Sequence, residues 1–169
     1  MKKYFQFNGT INGTTYFLRS LFSIVLSIPT LIIVFAFFGM FAIEYAEIDM
    51  QNPESFDQQA FEQKIQDNPE EFMETLKSSF TPFWIISILI SLIPVMWFGL
   101  ATYYKRVSAL FYENRLNVFF GLLIFEITAD IIVFKFDNWL NTVFLIGSIL
   151  VFLFMLIKDS GIQQEDHEG

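Results

Sequence analysis

Glu126 and Asp130 are the residues whose types and spacing point most directly to chemistry. They stand four positions apart in an otherwise apolar run, so on a helix they share one face, a turn from each other. Glu126 lies ten residues into that run, about 15 Å deep at 1.5 Å per residue and so near the centre of a bilayer. An acidic side chain there is disfavoured by about 2.5–3.5 kcal/mol on the insertion scale, so both are expected to face the interior of a helix bundle. Two roles fit such a pair. It can relay protons or cations, or it can hold helices together by hydrogen bonds, with Ser87, Ser91, Thr142 or Ser148 as candidate partners on other spans. The sequence places no basic residue at the same depth, which weakens a salt-bridge reading.

Other chemistry finds little support. The single histidine, His167, sits in the polar tail among Glu165, Asp166 and Glu168, and one imidazole among carboxylates falls short of the three or four preset ligands of a closed metal site. There is no cysteine, which removes disulfides, thiolate zinc sites and thiol catalysis together. Serines are plentiful, but no second histidine is available to activate one. Neither a phosphate-binding loop nor a dinucleotide fingerprint is present. No basic patch pairs with exposed aromatic platforms, so nucleic acid is not an expected partner. The chain is therefore expected to have no catalytic residues, metal or cofactor, and not to be an enzyme.

The elements that must position the two acids are membrane spans. Of 169 residues, 54% are hydrophobic and 19% aromatic, more apolar than the roughly 45–50% of an ordinary soluble domain. The fold expected is all-α, with four transmembrane helices at 21–43, 83–104, 116–134 and 139–157, each able to cross about 30 Å of hydrocarbon. Residues 1–20 read as an interfacial segment, 44–82 as an acidic helical loop, 135–138 as a short loop and 158–169 as a disordered tail. Pro94 is expected to kink the second span, as a gating hinge or a purely structural bend.

The acidic loop holds ten Asp or Glu against one Lys between Glu44 and Glu74. Asn52-Pro53 and Asn68-Pro69 each mark a helix start. In the second of these helices Phe72, Leu76 and Phe80 form an apolar stripe, with Phe61 and Ile65 a weaker one in the first. The loop can cap the spans and bind a partner or cation, or rest its stripes on the membrane surface or bundle.

Orientation follows from the basic turn at 105–115. Lys105, Arg106 and Arg115 lie close to span ends, and the positive-inside bias places them, and with them both termini, in the cytoplasm. The acidic loop is then extracytoplasmic. The sequons at Asn8 and Asn12 precede the first span on the cytoplasmic side, where glycosylation does not occur.

Two stretches carry a family resemblance. Phe5-Gln-Phe7-Asn-Gly9, followed by Tyr16-Phe17, and the basic Lys105-Arg106-Val107 of the second turn resemble the bacterial membrane family catalogued as domain of unknown function number 805. Ser108 and Ala109 stand where that family usually has His-Asp, and the later Ser-Gly-Trp and the arginines after the first glycine are missing. The resemblance implies a four-span protein of the bacterial cytoplasmic membrane and no particular activity. Taken together, the expected role is a structural or interaction component, with the lipid bilayer, a second copy or another membrane protein as partner. The alternative is a small oligomeric transporter or channel using Glu126 and Asp130.

Overall fold

The computed structural model describes residues 2–46, 48 and 57–167. Six α-helices make up the fold, α1 (Gly13–Tyr45), α2 (Gln58–Asp67), α3 (Pro69–Ser79), α4 (Pro82–Leu110), α5 (Arg115–Lys135) and α6 (Trp139–Ile157). Among the described residues there is no strand. Four of the six are long and apolar enough to cross a membrane: α1, α4, α5 and α6. The chain is thus an all-α membrane protein, and its outward-facing Leu, Ile, Phe and Val side chains are those a lipid solvent accepts.

The spans differ in length. Helices α5 and α6, with 21 and 19 residues, are about 32 and 28 Å long and match the hydrocarbon thickness. Helices α1 and α4, with 33 and 29 residues, run to about 50 and 44 Å. Helix α1 begins eight residues before the apolar run at Leu21, and α4 continues six past Tyr104. The basic turn is therefore largely helical, and only Phe111 to Asn114 lie between α4 and α5. Pro94 lies inside α4 and Pro29 inside α1, each removing one backbone donor from its helix.

The chain forms two compact units, one of Leu26–Pro94 and one of the two chain ends, to Val25 and from Val95. In the first, the end of α1 meets the short helices α2 and α3. Asp57 caps α2 by accepting from the amides of Gln59 at 2.9 Å and Ala60 at 3.1 Å. The Asn52-Pro53 start lies outside the described residues, whereas Asn68-Pro69 does open α3. Phe72 packs edge-on against Phe41 and Tyr45, Phe61 against Tyr45, and Phe80 at 4.2 Å from Phe37. Both apolar stripes of the loop thus lie on α1, and Lys64 Nζ donates to the Tyr45 carbonyl at 2.9 Å.

In the second unit α5 and α6 form a tight antiparallel hairpin. Asn138 caps α6 through the Leu140 amide at 2.9 Å, and Asn141 donates to the carbonyls of Val133 and Phe136. Phe125 stacks on Phe144, and its ring tip stands 2.9 Å from where a Cβ at Gly147 would lie, so a larger residue there would have to push the ring aside. The core here is Ile11, Tyr16, Val107, Phe119 and Met155, all buried.

Candidate functional site

Two sites in this second unit bring together residues distant in sequence. One is built on Arg106. Its guanidinium is 1% exposed and donates to three carbonyls: Met155 at 2.5 Å through Nε, Ile11 at 3.2 Å through one terminal nitrogen, and Lys158 through the other. The Met155 carbonyl belongs to the last turn of α6 and Lys158 caps that end, where helical acceptors lack intrahelical partners and the dipole favours a cation. Gly13 lies against the Leu156 carbonyl and has no space for a Cβ. The amino-terminal segment completes the cluster. Trp97 Nε1 donates to the Phe5 carbonyl at 2.8 Å, Phe7 packs edge-on against Trp97 and Tyr104, and Gly9 takes a positive φ of 77° that suits glycine.

Lys105 is also buried, at 0% exposure, whereas Arg115 is half-buried with its guanidinium 4.7 Å from the Tyr112 ring. In the tail, His167 bonds Thr10 through Nδ1 at 3.0 Å and Ser160 through Nε2 at 3.1 Å. Two hydroxyls satisfying both ring nitrogens are reason enough for that segment to dock. Among the described residues no three His, Asp or Glu side chains gather where a metal could sit.

The other site is an open cavity of about 350 Å³ among α1, α4, α5 and α6. Glu126 lines it, half-buried, from α5. Facing the same space from α1 are Tyr16, Arg19, Ser20 and Ser23, and from α4 Thr102 and Tyr103. Arg19 is 5% exposed, its guanidinium 4.9 Å from the Tyr4 ring. The Thr102 and Tyr103 hydroxyls are shut off from solvent and have no hydrogen-bond partner among the described residues. Phe98, Leu100, Leu123 and Phe152 supply apolar walls.

Asp130 does not join Glu126 there. It is exposed on the surface of α5 and lines no part of the cavity. The expectation that both acids face the interior fails because a turn of helix advances about 100° per residue and four steps overshoot by some 40°, enough to carry Asp130 past the edge of the packed face. A basic residue does share the cavity, however. Arg19 was read as an interfacial charge, yet Tyr16, Arg19, Ser20 and Ser23 fall at the i, i+3, i+4, i+7 spacing of one helix face, a polar stripe at the head of an apolar span.

Compared with protein-family models, curated proteins and solved structures, the chain matches none of them.

Proposed function

We propose that this is a polytopic protein of the bacterial cytoplasmic membrane that acts by binding rather than catalysis, with the cavity around Arg19, Thr102, Tyr103 and Glu126 as its site. The observation that carries the reading is the pair of buried hydroxyls on Thr102 and Tyr103, which have no hydrogen-bond partner among the described residues. An acid used only to tie helices together would have consumed such donors, because an unmade buried hydrogen bond costs about 1–3 kcal/mol. A relay running through both Glu126 and Asp130 draws no support from their divergence. The resemblance to the family of domain of unknown function number 805 is part of the same proposal. In its favour, the two motif halves meet: the Arg106 guanidinium donates to the carbonyl of Ile11, two residues after Gly9.

Orientation belongs to the proposal as well, with both termini, Lys105, Arg106 and Arg115 on the cytoplasmic side and α2 and α3 outside. Cysteine introduced at Glu113, exposed between α4 and α5, and at Glu62, exposed on α2, reads this directly. An impermeant thiol reagent on intact cells is expected to label Glu62→Cys and spare Glu113→Cys. Binding is tested by filling the cavity. Gly99 lines it and a Cβ there meets nothing within 4 Å, so Gly99→Leu is expected to fold and to lose whatever small molecule or lipid the parent retains in native mass spectrometry from mild detergent. Equal retention by both would end the binding reading.

A further inference from the structure

We propose that α5 pairs with α5 of a second copy of this chain, forming a parallel two-fold dimer in the membrane in which Asp130 of each copy meets Lys135 of the other. The cavity plays no part in this pairing. Asp130 is exposed and stands five residues short of the end of α5, which puts it about 7.5 Å inside the span. Hydrocarbon accepts the Ile and Phe side chains around it but disfavours a carboxylate, and acids within spans pair with a partner. Its own Lys135 cannot serve, because five residues at about 100° each carry that side chain some 140° round the helix. Among the described residues neither side chain makes a hydrogen bond or ion pair.

The register of the exposed face brings the missing charge into reach. Asn117, Phe120, Ile124, Ile127, Ile131 and Phe134 follow one another by alternating steps of three and four, the spacing of the inner positions of a paired coil. All six are exposed, the five apolar ones by more than half. The opposite face, with Phe119 and Ala129 buried, is turned to the chain's own core. Asp130 and Lys135 flank the exposed seam on its two sides. In a parallel pair the residue on one flank faces the residue five positions on at the other flank of the second helix, so charges held apart within a copy meet between copies. Copies inserted by one orientation rule run parallel, and a two-fold axis makes the ion pair twice. Asn117, the single polar residue on the seam, meets its own copy there, which fixes register. Gly121 lies on the Lys135 flank, where a Cβ would meet nothing within 4 Å, and a small residue there lets two helices approach closely.

The chain has no cysteine, so a single introduced cysteine reports contact between copies by oxidation in the membrane. Ile127→Cys is expected to cross-link to its own copy, and Ile149→Cys, 50% exposed on α6, is not. Charge reversal then reads the register. Asp130→Lys sets two bases against each other and Lys135→Asp two acids, and each, combined with Ile127→Cys, is expected to lower the cross-linked fraction about tenfold. Coexpressed, the two variants regain opposite charges at both pairs, and a mixed dimer, resolved by a size tag on one copy, is expected at the parent's level. Asp130→Ala removes a costly group from the span and inserts at least as readily as the parent, so it tests the pair even where a reversed charge prevents insertion; its cross-linking is expected to fall several-fold. No cross-link at Ile127→Cys, or one no stronger than at Ile149→Cys, would overturn the proposal. So would parent-level cross-linking in Asp130→Ala, or no mixed dimer from two reversed variants that both insert.

Discussion

Each of the two units closes the end of a long helix with a basic side chain, and the two closures are built differently. At the end of α6, Arg106 is buried and holds three carbonyls from two separate stretches of chain. At the end of α1, Lys64 is half-buried and holds the single carbonyl of Tyr45 while resting 4.6 Å from that residue's ring. The rest of the second closure is aromatic, with Phe61 and Phe72 packed on Tyr45 and Phe72 also on Phe41. A buried polar closure depends wholly on its donor, because water cannot replace it. A closure made of rings spreads the same task over several contacts, each dispensable in part.

The largest expected effect therefore lies at Arg106. Arg106→Met leaves the two buried carbonyls of Met155 and Ile11 without their donor, and the part-buried one of Lys158 as well; at about 1–3 kcal/mol for each buried group the two buried ones alone are expected to cost about 2–6 kcal/mol, read as thermal unfolding in detergent. Phe72→Ala removes two edge-on ring pairs and should cost about 2 kcal/mol, at about 0.5–1.5 per pair with lost burial in addition. Its signature is faster proteolysis of the loop. Lys64→Met deletes one hydrogen bond in a half-buried place and should cost about 1 kcal/mol. Glu74→Gln, on the exposed face of α3, is expected to stay within about 0.5 kcal/mol and leave proteolysis unchanged. If Lys64→Met proved as costly as Arg106→Met, the contrast between the closures would collapse.

Much of this was written in the residue order. Apolar runs of span length located all four long helices, because a helix that crosses the hydrocarbon needs about 20 predominantly apolar residues. The four-residue recurrence of Phe72, Leu76 and Phe80 named the face of α3 that packs. What escaped was the purpose of individual charges. Lys105 and Arg106 look like the interfacial cations of a turn, and only the folded chain shows Arg106 within reach of Ile11 and Met155. The i, i+4 rule put Glu126 and Asp130 on one face, but a face is wider than a cavity mouth, and only Glu126 reaches it. Arg19 was the legible miss: the polar spacing with Tyr16, Ser20 and Ser23 was present, and its nearness to the amino terminus disguised it.

The claim that matters most is that Arg19 and Glu126 line one cavity while Asp130 stands apart from it. A double-mutant cycle measures it. Arg19→Gln, Glu126→Gln and their combination, compared by unfolding in detergent, are expected to show a coupling above about 0.5 kcal/mol, whereas Arg19→Gln combined with Asp130→Asn should be additive within about 0.3–0.5 kcal/mol. Additivity in the first pair, or coupling in the second as strong as in the first, would contradict the account.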